Sequence, residues 1–448
     1  MARAAALAVA LSLTACGGGA PDPPDPQGAP GLAPPLVLLL EVDTLRADAL
    51  EPYGGPGLEG ATPAVAALAD EGRVLTGAYA SAPWTLPSVA TLLTGKWPWE
   101  HGATRLLGRL GDGHTTLAEA FGAAGFRTGG VMTNFVATAD YGFAQGFELW
   151  DDDLATGHEG STAAAAVTKL LAQYDELAAG GEPVFLYTLW FEPHWRYEHD
   201  PTAGPAPPVA AVESLNDLRE SLAAGGLTDQ DLADLRALYA VEVARIDAAL
   251  AALRAGLEQR GVWDEALVVL TSDHGELLGE RGWIGHTVDL SDTLTRVPLL
   301  VRGPGIEPGT SAAPVSQVDL GATLLELAGV DERPGAFGRA PTFADVARGI
   351  SDAPPREHLY LHVDFEPRLV NATSDRKRSL RWGVVEAATG RKWVVDHLAE
   401  GGPAGHLYDT GAFPAVEPEL DGEPGDLAHL LGLVPEPLDG RRGEEAVE

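Results

Sequence analysis

The stretch LVLLLEVD, residues 36–43, is a nearly unbroken apolar run that ends in a carboxylate. A strand buried on one face alternates apolar and polar side chains, whereas a strand buried on both reads as a continuous Val/Leu run. Four further stretches follow the same plan: FRTGGVMTN (126–134), VFLYTLWFEPH (184–194), ALVVLTSDH (266–274) and VPLLVRG (297–303). Helical patterns lie between them. The clearest follows Thr228, where Leu235, Tyr239, Val243, Ile246, Leu250, Leu253 and Leu257 form one stripe and Gly261 closes the helix. Strands alternating with helices predict an α/β fold with a central, mostly parallel sheet flanked by helices. In such sheets ligands bind beyond the carboxyl ends of the strands. Asp43, Asn134, His194, Asp273 and His274 end these runs and are therefore the residues to follow.

A second stretch, SAPWTLPSVATLLTG (81–95), reads as a loop running into a helix at Pro87 and stopping at Gly95. Thr85 then sits at the mouth of a helix amino terminus, where free N–H groups and the helix dipole favour negative charge. Its hydroxyl is either a structural cap or a nucleophile in an anion site. Asp43, Asp273 and His274 offer two hard oxygens and an imidazole, a first shell for one divalent cation that Thr85 Oγ would complete. The imidazole favours Mn²⁺ or Zn²⁺, with Ca²⁺ and Mg²⁺ as alternatives.

At this point the chain resembles the sulfatase family of the alkaline phosphatase superfamily. VDTLRADAL (42–50) is similar to the opening metal strand, and ATPAVAALADEGRVLTGAYA (61–80) to the segment before the nucleophile. TSDHGELLGERGWIGHTVDLSDTLTRVPLLVRGPG (271–305) is similar to the second metal strand and its continuation, and VSQVDLGATLLELAGV (315–330) to the closing helix. The likeness covers most of residues 36–330. Sulfatases carry Cys or Ser, any residue, Pro, Ser and Arg, and oxidise the first of these to formylglycine. Here the register reads Thr85-Leu86-Pro87-Ser88-Val89. A threonine cannot yield that aldehyde, so no formylglycine is expected. Thr44 replaces the second of two Asp residues, and His274 stands where sulfatases carry Asn. The set Asp43, Thr85, Asp273 and His274 is similar to that of the phosphoglycerol transferases of the superfamily, which use an unmodified threonine.

That resemblance implies Thr85 as nucleophile, His194 (in FEPHW) and His286 (in GHTVDLSDTLTRVP) as proton carriers, and Asn134 as a substrate contact. His101, in WEHG, is read as packing or capping beside the helix that follows Thr85. A hydrated aldehyde can expel sulfate by elimination from its own carbon. A threonine ester must instead be resolved by water or an alcohol attacking the central atom. The expected function is thus a metal-dependent hydrolase or transferase acting on anionic esters, phosphate preferred over sulfate. A true sulfuric ester hydrolase without formylglycine and a non-catalytic binding protein of the same fold are the alternatives.

Composition bounds the remaining classes. The 448 residues, 45% hydrophobic, suffice for a large core, and 65 acidic against 30 basic residues give a net charge of −35. Such a field repels nucleic acid and anionic lipid. MARAAALAVALSLTAC (1–16) reads as an export signal whose end, Leu13-Thr14-Ala15-Cys16, resembles the bacterial lipobox. Cys16 is the single cysteine and the expected lipidation site. The expectation is an exported bacterial lipoprotein of the cell envelope, touching membrane through its lipid anchor alone. Residues 17–35 read as a Gly/Pro-rich tether and 36–345 as the catalytic domain. Residues 346–416 read as a small antiparallel subdomain, with a hairpin around Thr389-Gly390, and 417–448 as an acidic tail. The sequence carries no signal for oligomeric state.

Overall fold

The computed structural model describes residues 33–54, 62–106, 108–157, 161–198, 206–365, 379–397, 404–410 and 419–420. The segments read as export signal, with Cys16, and as tether up to residue 32, together with most of the expected acidic tail, lie outside the described residues. Among the described residues no helix is long and apolar enough to cross a membrane.

Eight strands form the central sheet: β1 Leu36–Val42, β2 Arg73–Leu75, β3 Arg127–Met132, β4 Leu149–Asp151, β5 Val184–Trp190, β6 Leu267–Ser272, β7 Leu299–Arg302 and β8 Gly309–Ser311. Their spatial order is β8-β2-β7-β6-β1-β5-β3-β4. The centre is parallel: β1 pairs with β5 and β6, and β3 with β5 and β4. Alternate residues of β1 enter different cores. Val37 and Leu39 join a cluster containing Leu86, Val89, Leu117 and Leu320, whereas Leu36, Leu38, Leu40 and Val42 join Leu170, Leu235, Ile246 and Leu253. Both faces are covered by helices, which is why β1 has no polar face to show.

One expected parallel strand runs the other way. VPLLVRG forms β7, which is antiparallel to both β6 and β2. A parallel return needs a crossover, usually a helix. The 273–298 connection contains only short elements, the largest α-helical piece being Asp292–Thr295. It stays beyond the carboxyl end of β6 and doubles back, so this segment supplies the site with side chains.

The helix after Thr228 spans Asp229–Gln259, opened by a capping box and followed by Gly261 at φ 68°. Thr228 Oγ1 accepts from Asp231 N at 3.2 Å, and Asp231 Oδ2 accepts from Thr228 N at 2.8 Å. A separate antiparallel meander follows: β9 His358–Phe365, β10 Ser379–Glu386, β11 Arg391–Asp396, β12 Ala404–Asp409 and the short β13 Glu419–Leu420. The β10–β11 hairpin turns at Gly390, φ 65°, where the sequence placed it. Leu359, Leu361, Val363, Val385 and Val394 of this second sheet join the same core as the Thr85 helix.

Candidate active site

Because β1, β3, β5 and β6 are parallel, the residues that follow them arrive at one edge. Beyond β1 the ladder extends one step, Asp43 N donating to Trp190 O at 2.8 Å. Thr44 then takes φ 55°, a left-handed turn unusual for a threonine. That turn aims Thr44 N at Asp273 Oδ1, 3.1 Å away, and His274 N donates to the same oxygen at 2.8 Å. Asn134 Nδ2 donates to Asp43 Oδ2 at 2.5 Å, while its Oδ1 accepts from Val136 N at 2.7 Å. The expected substrate contact is thus engaged within the protein, behind Asp43.

Asp43, Asp273 and His274 are fully buried, and one ligand atom from each lies within 4.8 Å of the others. His274 Nδ1 lies 2.9 Å from Gly275 O, which fixes its proton there and leaves a lone pair on Nε2. That nitrogen is 3.3 Å from Asp273 Oδ2 and 3.6 Å from Asp43 Oδ1. Both of these oxygens are buried without a hydrogen-bond partner. Three electron-pair donors therefore face one another with no proton assigned between them, an arrangement that fits a divalent cation. Burial raises the Asp43 carboxyl well above the ordinary carboxylate range and Asp273 to about 7; the Asp273 charge raises Asp43 further. Burial lowers His274 well below the ordinary imidazole value.

The Thr85 helix starts earlier than its sequence indicates. It spans Thr85–Thr94, with Trp84 as N-cap in extended backbone and Gly95 closing it at φ 61°. Pro87 is thus the third helical residue rather than the first. Its missing N–H still costs nothing, because the first four helical N–H groups lack intrahelical acceptors. The Thr85 hydroxyl caps nothing: its Oγ1 lies 3.4 Å from His274 Nε2, and the residue is 4% exposed.

The two expected proton carriers meet beside this cluster. The ring centroids of His194 and His286 are 5.2 Å apart, and those of His286 and His274 are 4.5 Å apart. His286 Nδ1 lies 2.9 Å from Glu276 Oε1. Burial shifts both members of this pair towards their neutral forms, His286 down to about 3 with Arg219 adding to the effect, and Glu276 up to about 7. His194 Nδ1 is 2.5 Å from Trp195 O, and its ring stacks on Phe191 at 4.6 Å. His101 is buried, with Nε2 3.1 Å from Thr91 Oγ1 and Nδ1 accepting from Ala103 N at 3.1 Å, as a packing histidine should be.

Two further acids belong to the site and were not picked out from the sequence. Glu276 is fully buried behind His286, and Glu41 is fully buried one residue before Val42. Glu41 Oε2 accepts from Tyr187 OH at 2.6 Å, and burial together with the Asp273 charge raises it to about 8. A glutamate inside an apolar strand was the available signal for the first. Glu276, two residues past His274, had only its nearness to that residue.

A helix-covered sheet thus gathers two carboxylates, an imidazole and a hydroxyl beyond its carboxyl edge. A sulfatase family model matches residues 35–330, and the chain belongs to that family. Ulvan-active sulfatase of Formosa agariphila is 24% identical over 420 residues, covering 86% of this chain and 80% of that protein. Arylsulfatase K of Bos taurus is 26% identical over 201 residues, covering 44% of this chain but only 37% of its own length. Among solved structures, phosphonate monoester hydrolase from Silicibacter pomeroyi superposes with a TM-score of 0.65 at 20% identity, covering 90% of this chain and 94% of that one. At that identity the likeness is one of fold.

Proposed function

We propose that this sulfatase-family protein cleaves or transfers anionic esters through an unmodified threonine nucleophile, Thr85, with phosphorus esters preferred over sulfate esters. The observation that carries the reading is the orientation of that hydroxyl. At the first position of its helix it turns away from capping and towards His274 Nε2, beside Asp43 and Asp273. A divalent cation held by Asp43, Asp273, His274 and Thr85 would acidify the hydroxyl and offset the buried carboxylates, Mn²⁺ or Zn²⁺ suiting this donor set.

The protein's own residues then act in sequence. Thr85 Oγ1 attacks phosphorus and its proton passes to the His194–His286 pair; a P–Oγ bond forms as the bond to the leaving oxygen breaks. The leaving oxygen takes up the proton that the His194–His286 pair received from Thr85, with Glu276 orienting His286. Free N–H groups at the mouth of the Thr85 helix face the charge that develops on the remaining oxygens. Water or an acceptor alcohol next attacks phosphorus, passing its proton by way of the same pair to Thr85 Oγ1 as the P–Oγ bond breaks. Because a threonine ester cannot resolve by elimination, attack at the central atom is required in the second half. Asn134 serves by holding Asp43.

Sulfate-ester hydrolysis is the competing reading, favoured by the names of relatives such as the ulvan-active sulfatase. The test is a panel of aryl phosphodiesters, phosphonate monoesters, phosphomonoesters and sulfates offered to Mn²⁺- or Zn²⁺-loaded protein. Turnover of sulfates alone would refute the phosphorus preference. We also place the protein at the cell envelope, anchored through Cys16.

A further inference from the structure

The two loops that carry the proposed reacting groups are both fastened to the second sheet. On the Thr85 side, His362 N of β9 donates to Ser81 O at 2.8 Å, and Phe365 packs edge-on against Trp84 at 5.4 Å. On the His286 side, the contacts come from β10 and β11. Ser379 Oγ donates to Val288 O at 2.7 Å, and Arg381 Nη1 donates to the same carbonyl. Lys392 Nζ donates to Leu290 O at 2.7 Å and pairs with Asp292 Oδ1 at 2.6 Å. The two loops also touch directly: Thr287, at φ 80°, donates its N–H to Pro83 O at 3.2 Å.

Lys392 is the unusual member of this set. It is fully buried, and its partner Asp292 is 6% exposed. Burying an ammonium and a carboxylate costs several kcal/mol per ion before their attraction is counted, and apolar residues of similar size often serve stability as well or better. What an apolar residue cannot do is fix the positions of a carbonyl and a carboxylate two residues apart on a loop with little regular structure. We propose that Lys392 is a positioning residue: it holds the 286–292 loop in register with the Thr85 loop, and so sets His286 for reaction. This inference rests on the proposed roles of Thr85 and His286. It gives the second sheet a part in the active site although none of its described residues is among the proposed ligands or reacting groups.

The test is a double-mutant cycle with an independent structural reading, on the full chain loaded with Mn²⁺ and an aryl phosphodiester as substrate. Lys392→Met is expected to lower kcat about 100-fold, the scale of a misplacement near 1 Å, with KM and bound metal little changed. In a His286→Ala background the same substitution should cost nothing further, because its effect runs through His286. Hydrogen exchange should quicken in peptides covering 286–292, with the strands of the central sheet unchanged. Losses that multiply in the double variant, or unaltered exchange at 286–292, would overturn the proposal. A fully active His286→Ala enzyme would also overturn it, while leaving the Thr85 reaction standing on the Thr85 variants. Should wild-type protein turn over no ester at all, the proposed function fails, and the exchange measurement alone decides the clamp. If Lys392→Met does not fold, Ser379→Ala, which removes only the hydroxyl on Val288 O, is subjected to the same cycle and exchange measurement.

Discussion

Thr85→Ala separates the structural and chemical parts of one side chain, because the two losses differ greatly in size. The hydroxyl caps no N–H, and at 3.4 Å from His274 Nε2 its contact is long for a hydrogen bond between oxygen and nitrogen. Truncation removes that contact and one buried methyl, together about 1 to 2 kcal/mol of folding stability. Removing a covalent nucleophile costs about 10⁴- to 10⁶-fold in kcat, or about 5.5 to 8 kcal/mol of activation free energy. Denaturant unfolding and turnover of an aryl phosphodiester, measured on the same preparation, should therefore disagree by several kcal/mol. Thr85→Ser, which keeps a hydroxyl able to attack, should retain part of the activity. With a slow substrate, peptide mass mapping of the wild type should show an unmodified threonine and a trapped ester on the same residue. Wild-type kcat in Thr85→Ala would refute the reasoning, and the hydroxyl would then be structural after all.

Other consequences are as direct. Asp273→Asn should lose most of its bound metal by elemental analysis and most of its turnover; Mn²⁺ at about 100 times its Kd should stabilise the wild type by about 2.7 kcal/mol, and the variant far less. Full metal occupancy in Asp273→Asn would show that the ligands are misassigned. His101 has its ring protonation depressed by burial, from 6.5 to about 3, and its Nδ1 accepts an amide hydrogen. A histidine with a lowered folded pKa contributes stability above its unfolded value of about 6.5 that is lost as the pH falls from there towards 3, at up to about 1.4 kcal/mol per pH unit. Unfolding free energies measured between pH 4 and 7.5 should thus fall less steeply in His101→Gln; equal slopes would contradict this. Cys16→Ala should move the protein from the membrane to the soluble fraction, and persistence in the membrane would place the anchor elsewhere.

The strand ends were legible in the sequence for a physical reason. A strand covered on both faces leaves a solid apolar run, and the first polar residues after it stand at the sheet edge where ligands bind. Asp43, Asp273 and His274 could be read in this way, and the structure brings them together. The direction of β7 could not be read, because a buried strand has the same composition whichever way it runs; the lack of a crossover helix between 273 and 298 decided it. The helix start misled for a related reason. Proline is tolerated at any of the first few helical positions, so Pro87 marks the first turn but not its first residue. Glu276, Arg219 and Lys392 lie in segments whose approach to the site depends on tertiary packing. Lys392 and Asp292 are 100 residues apart, and no local pattern links them.

The choice between an enzyme and a binding protein of the same fold turns on what the site costs. Glu41, Asp43, Asp273 and Glu276 are all fully buried, and burial raises all four carboxyls above their ordinary range. Two of their oxygens, Asp43 Oδ1 and Asp273 Oδ2, are buried without a hydrogen-bond partner and lie 3.6 and 3.3 Å from His274 Nε2. Each unsatisfied buried polar atom of this kind costs on the order of 1 to 3 kcal/mol, and more when charged. A surface that only bound a ligand would be more stable with apolar or paired residues in these positions, since nothing in binding requires acids sealed beneath the contact. The proposed cation-activated hydroxyl would require them: the acids would hold the cation that makes Thr85 reactive, and burial would keep water from weakening that field. On that proposal, the buried hydroxyl at the centre, 3.4 Å from the imidazole, is the part of this arrangement that chemistry would use and binding would not.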